Sequence, residues 1–196
     1  MIQQPATITF SLPAWISEYI KDKNHIESLE DRMAFVIEAS RINTREKTGG
    51  PFAAAIFERD SGKLIALGVN LVESENLSIL HAEMVAFAIA QKRLGTYDLS
   101  APGLPAHELV TSTEPCAMCF GALSWSGVRR VITGAQDADA RKIGFDEGPK
   151  LPNWQEELER RGIEVIRDIH RHHAAKVHDE YLSQGGNIYN SRKSSS

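Results

Sequence analysis

The sequence predicts an α/β protein: a three-layer α/β/α sandwich around a central mixed sheet of five strands. Three observations predict it. Short β-branched or apolar runs alternate along the chain with segments whose apolar residues recur at three-to-four spacing, the pattern of strands and helices stacked in layers. The chain has 196 residues, 42% of them hydrophobic, which suits one unit able to bury a core without crosslinks. No internal repeat and no linker-like stretch divides it. Residues 1–24 read as an N-terminal extension, 25–190 as the main domain and 191–196 as a disordered tail.

The elements follow in order. Ile26, Leu29, Met33, Val36, Ile37 and Ile42 lie on one helical face, so 26–46 reads as an amphipathic helix, stopped by Gly49-Gly50-Pro51. Phe52–Phe57 and Leu64–Val69 flank the turn residues Asp60-Ser61-Gly62 and read as a hairpin. A buried helix over 81–94 ends at Gly95. Glu108–Thr113 has the β-branched content of a strand. Pro115 suits the first turn of the next helix, which runs to Gly127. A strand over 130–133 leads into a polar loop with Gly144-Phe145-Asp146-Glu147-Gly148. A short helix over 154–161, a strand over 163–166 and a helix over 170–182 complete the order.

Composition narrows the function. Counts of 22 Lys+Arg and 26 Asp+Glu give a net charge of −4, which argues against an anionic partner such as nucleic acid. No run approaches the about 20 apolar residues a membrane helix needs, and the first twenty residues lack a secretory-signal pattern, so a cytoplasmic protein is expected. Two cysteines are too few for a disulfide scaffold, and Cys116-x-x-Cys119 is too local to close a large loop. In a reducing compartment such a pair points to metal or catalysis.

Two motifs carry the chemistry. His81-Ala82-Glu83 opens one predicted helix and Pro115-Cys116-Ala117-Met118-Cys119 opens another. By average composition, both together arise by chance in on the order of one chain in a thousand. Catalytic zinc takes three protein ligands and leaves a fourth position for water. His81, Cys116 and Cys119 supply three, and cysteines three apart on one turn project to the same side. A helix start also favours the thiolate form. Glu83, two residues beyond His81, is placed as the base that takes a proton from water and delivers it to a substrate nitrogen. The plainer readings are a closed structural zinc site or buried thiols, but a closed site needs a fourth ligand and no second cysteine pair exists. For Glu83 the plainer reading is a solvated helix-start carboxylate.

On these motifs the chain resembles the cytidine deaminase superfamily of zinc hydrolases, and within it most closely the bacterial guanine deaminases. The resemblance spans about residues 28–190 and extends to Gly49-Gly50-Pro51-Phe52, Asn70 and Gly144-Phe145-Asp146-Glu147. It implies one zinc per chain and hydrolysis of guanine to xanthine and ammonia. It also implies that Asn70 hydrogen-bonds the purine and that Glu147 faces the amino-bearing edge, with Phe52, Ala82, Phe145 and Tyr189 as further substrate contacts. Guanine presents N1–H and the 2-amino group side by side, and a carboxylate offers two acceptors. Two departures stand out: a glutamate at 147 where one member of the family carries aspartate, and a lengthened loop over 100–105. A catalytic share for Glu147 in proton transfer stays open. The resemblance further implies a homodimer in which the C-terminal segment crosses to the partner's pocket, with Tyr189 its aromatic.

Alternatives remain at several positions. Asn70 could simply end a strand, Glu147 could be solvated, and Phe52 and Phe145 could be ordinary core. His170-Arg171-His172-His173 reads as helix surface, since adjacent residues point in different directions. Aminotriazines share guanine's amidine edge and are possible further substrates. Competing functions are deamination of tRNA adenosine, which would need a basic surface, deamination of cytosine, and a zinc-binding interaction module without catalysis.

Overall fold

A computed structural model describes residues 4–190. The expected tail, 191–196, lies outside the described residues. The chain runs α1 (Trp15–Ile20), α2 (Leu29–Arg45), β1 (Ala53–Glu58), β2 (Leu64–Val69), α3 (Ala82–Leu94), β3 (His107–Thr113), α4 (Ala117–Ser126), β4 (Arg130–Ala135), α5 (Asp137–Lys142), α6 (Trp154–Glu159), β5 (Glu164–Ile166) and α7 (Arg171–Ser183).

The five strands form one mixed sheet in the order β2-β1-β3-β4-β5. β1 pairs antiparallel with both β2 and β3, whereas β3, β4 and β5 run parallel. Successive residues of a strand face opposite sides. Ala53, Ala55 and Phe57 therefore join Val110 and Ile132 in a core beneath α2, α7 and Ile16 of α1. Ala54 and Ile56 join Leu109 and Val131 beneath α3, α4 and α6. Helices cover both faces, as the predicted three layers require. Gly68 lets α3 approach β2: a Cβ there would stand 2.3 Å from the carbonyl oxygen of Ala82.

Two helices depart from the sequence reading. α1 has a single buried residue, Ile16, too little for a periodic signal, and is held by Tyr19, whose hydroxyl donates to the Phe35 carbonyl at 2.7 Å. α5 lies inside the expected polar loop and buries only Ala140. A capping box holds it, in which Asp139 accepts from the Gln136 amide at 2.8 Å. Pro115 also stands outside α4, because Cys116 is the N-cap.

Register decides where a site can form. Ala53 pairs with Val69, and Ala54 with Thr111. The start of β1, the end of β2 and the end of β3 therefore share one edge of the sheet, so Phe52, Asn70 and Thr113 converge. In α/β sheets this edge, beyond the carboxyl ends of parallel strands, is where ligands bind. The first turns of α3 and α4 meet at the same place.

Candidate metal and substrate site

His81 and Cys116 are the N-cap residues of α3 and α4, both with extended backbone, and neither makes a side-chain capping hydrogen bond. N-caps usually satisfy the first amides with Ser, Thr, Asp or Asn. Here they leave imidazole and thiol free to face each other. His81 Nδ1 lies 3.4 Å from Cys116 Sγ and 3.7 Å from Cys119 Sγ. All three ligand atoms fall within 4.8 Å of one another. Tetrahedral zinc with ordinary Zn–S and Zn–N bonds sets ligand atoms about 3.5 Å apart, so the donor set fits zinc in chemistry and in spacing.

The electrostatics fit as well. Cys116 is pulled down to about 4 by hydrogen bonding from the Cys119 thiol and then by His81, against the opposing effect of burial. Cys119 is pushed up, because it donates to that thiolate and is buried. The pair thus shares one proton, which a dication would displace. Burial and then the Cys116 thiolate raise Glu83 to about 7, and its carboxyl sits against the Cys119 thiol. Burial first, with Cys116, Asp137 and Glu83 adding repulsion, raises Glu147 to about 8.

A cavity of about 250 Å³ opens onto this cluster. Nine of the ten site residues expected from the sequence line it, Phe52, Asn70, His81, Ala82, Glu83, Cys116, Phe145, Glu147 and Tyr189, while Cys119 is fully buried and does not. Asn70 Oδ1 accepts from the Val72 amide at 3.3 Å, so its Nδ2 is the group left for the cavity. Asn43 Nδ2 holds the wall in place by donating to the carbonyls of Gly50 and Asn70, each at 3.0 Å. Phe52, Phe145 and Tyr189 form an aromatic corner: the Phe145 ring is 5.0 Å from each of the other two, edge to face. Flat apolar surface of this kind suits a planar ring.

Tyr189 lines the cavity of its own chain. Its hydroxyl is buried and takes no hydrogen bond among the described residues. The segment before it is held by Asn187 on Glu73 at 2.5 Å, and Asn190 Nδ2 donates to Gly144 at 2.8 Å.

Several lining residues escaped the sequence reading: Val72, Ser78, Thr111, Thr113, Glu114, Met118, Asp146 and Asn190. Thr111 and Thr113 alternate at the end of β3 and could have been found by period two. Glu114 immediately precedes Pro115-Cys116, a position next to a motif that a closer reading would have weighed.

The zinc-binding region of cytidine and deoxycytidylate deaminases matches residues 26–135, more than half of the chain. The chain belongs to this deaminase family. Among solved members, a guanine deaminase from Nitrosomonas europaea is 46% identical, with a TM-score of 0.88, over 92% of this chain and 99% of that one. Among curated members, the guanine deaminase of Bacillus subtilis is 41% identical over 99 residues, 50% of this chain and 59% of its own length. The tRNA-specific adenosine deaminase of Bacillus subtilis is 37% identical over 109 residues, 56% of this chain and 62% of its own. The matched stretches thus span about three fifths of these two curated relatives. Membership makes zinc the resident metal of the His81, Cys116 and Cys119 cluster. Among the described residues of this deaminase, no helix is long and apolar enough to cross a membrane.

Proposed function

We propose that the protein hydrolyses guanine to xanthine and ammonia. The observation that carries the reading is the placement of two buried carboxyls, Glu83 beside the metal ligands and Glu147 with Asn70 and an aromatic corner on the cavity they line. The similarity to the Nitrosomonas enzyme along almost its whole length supports the same choice.

Zinc held by His81, Cys116 and Cys119 supplies the Lewis acidity that makes water a nucleophile near neutral pH. Glu83, raised to about 7, takes one proton from the water that adds to purine C2 and returns it to N3. The proton of the hydroxyl now on C2 passes through the same carboxyl to the 2-amino group, C2=O forms as the C2–N bond breaks, and ammonia leaves. Asn70 Nδ2 donates to an acceptor of the ring. Glu147 accepts from N1–H and the 2-amino group. The thiolate charge that helps raise Glu147 is the charge a dication neutralises, so metal loading favours its ionised form. Phe52, Phe145 and Tyr189 hold the ring plane, and Ala82 lines the floor.

The protein works as a cytoplasmic homodimer. A reducing compartment keeps two metal-binding thiols from pairing before the metal is bound. Trp125, 83% exposed, and Met118 lie on one face of α4, an apolar patch suited to a second copy. Sedimentation of the native chain against Trp125→Glu tests this; a monomer in both would remove it.

Ammonia release from guanine, adenine, cytosine, cytidine and a tRNA anticodon hairpin, measured side by side on zinc-loaded protein, tests the substrate. Turnover of guanine is expected; turnover of the hairpin with guanine untouched would overturn the reading in favour of tRNA adenosine.

A further inference from the structure

A buried cluster of charges, which the mechanism above does not use, reaches the cavity wall at Glu114. Glu114, 4% exposed, directly follows β3, two residues before Cys116. Its carboxylate accepts from Arg167 Nε at 2.7 Å and from the Asp137 amide at 3.1 Å, and Lys150 Nζ lies 3.4 Å away. Lys150 also reaches Asp137 Oδ1 at 3.1 Å, and its side chain is only 7% exposed. The other Asp137 oxygen takes Arg141 Nε at 2.6 Å, and Arg141 Nη2 donates to the Gly148 carbonyl at 3.0 Å. Burial pushes the Asp137 carboxyl up, but hydrogen bonds from Arg141 and Lys150 outweigh it and hold the group below its ordinary value.

Lys150 sits three residues beyond Glu147 in the same loop. The loop backbone is also held by the Ala117 amide donating to the Glu147 carbonyl at 2.9 Å, by Arg141 Nη2 donating to the Gly148 carbonyl at 3.0 Å and by the Asp146 amide donating to Asn190 Oδ1 at 2.9 Å. These three ties hold residues 146–148 and none of them reaches past Gly148. The lysine, clamped between Glu114 and Asp137 with the Trp154 ring 5.1 Å from its nitrogen, supplies the anchor beyond Gly148. Held at residues 146–148 and again at Lys150, the loop backbone sets the direction of the glutamate side chain relative to the metal ligands.

We infer that Lys150 is a positioning residue for the reaction, holding Glu147 in register with the Cys116–Cys119 turn through Glu114 and Asp137. The inference rests on the reading of Glu147 as a substrate contact. Loss of the lysine leaves the acids partnered, Glu114 by Arg167 and Asp137 by Arg141, so the fold tolerates its removal.

The test is a double-mutant cycle on the zinc-loaded full chain with guanine as substrate, with metal content and thermal midpoint measured in parallel. Lys150→Met is expected to lower kcat/KM about 10- to 100-fold, the range for a displaced catalytic contact, while retaining its zinc. In a Glu147→Gln background the same change is expected to matter within about twofold, because its route to the substrate is already cut. Equal losses in both backgrounds, or no loss in the native one, would overturn the inference. If Lys150→Met does not fold, the isosteric Glu114→Gln enters the same cycle with the same outcomes. Unchanged kinetics in Glu147→Gln alone would instead remove the reading beneath it, whereas an impaired Glu147→Gln beside a neutral Lys150→Met removes only the positioning role.

Discussion

The wall that holds the metal ligands and the wall that would read the ring are built on different principles. His81, Glu83, Cys116 and Cys119 come from the first turns of two helices, α3 and α4, packed on one face of the sheet. Asn70, Phe145, Glu147 and Tyr189 come from a strand end, one loop and the C-terminal segment. Spacing along a helix sets the first wall. Contacts between residues far apart in sequence set the second: Asn43 to Asn70, Lys150 to Glu114, Asn190 to Gly144. A helix-borne site should therefore fail all at once when a ligand is removed, and a loop-borne site by degrees.

The largest effect is expected from Cys119→Ser. Zinc needs all three ligands and two thiolates, so this variant should lose its metal on dialysis and its deamination should fall to background while the protein stays folded. Metal analysis beside ammonia release checks it; full activity with a stoichiometric metal would break the equivalence of the three ligands. Next comes Glu83→Gln, which keeps the metal wall but removes the proton carrier. Zinc content should stay unchanged and kcat should fall about 10²- to 10⁴-fold. A normal kcat would show that the proton moves by another route.

The helix-borne half was legible because its chemistry is written at short range. His-x-Glu and Pro-Cys-x-x-Cys each lie within one turn of a helix start, so local geometry keeps the side chains of each motif at one helix end. The layered α/β order was legible for the same reason, since each element repeats its own period. What escaped was cooperative. Glu114 and Lys150 gain meaning only when the end of β3 and the loop over 144–150 come together. α5 has almost no apolar face and is held by its cap and by Arg141 on Asp137. Tyr189 was found by resemblance, but its place in its own chain's cavity depends on where α7 ends and on Gly50, whose missing side chain makes room for the ring.

A smaller effect sharpens the loop-borne half. Gly49 packs against Asn70 so closely that a Cβ there would lie 1.9 Å from its carbonyl oxygen and 2.8 Å from Asn43 Nδ2. Gly49→Ala must push the Asn70 strand end outward, a form of overpacking that destabilises by about 1–3 kcal/mol. Zinc content should hold, since α3 and α4 are untouched, while KM for guanine rises about tenfold as Asn70 leaves its place. Lost zinc with unchanged KM would show that the two walls are not independent.

The smallest effect concerns stability and lies behind the aromatic corner. His178 is 1% exposed, its ring lies 5.4 Å from Phe52, and its Nε2 is 3.0 Å from Thr113 Oγ1. Burial lowers its pKa from 6.5 to about 4, outweighing the nearby Asp139 and Asp179, which favour the charged ring. The unfolded chain binds this proton first, so the stability that neutral His178 contributes is complete above pH 6.5. It is lost as the pH falls from there toward 4, at about 1.4 kcal/mol per unit and so roughly 3 kcal/mol in all. His178→Gln keeps a hydrogen-bonding partner for Thr113 but cannot take up the proton. Denaturant unfolding between pH 7 and 4.5 should therefore show a steeper acid loss in the native chain than in the variant. Parallel curves would mean that the folded protein stabilises the charged imidazole as well as water does, and that the packing around Phe52 is looser than the ring distances imply.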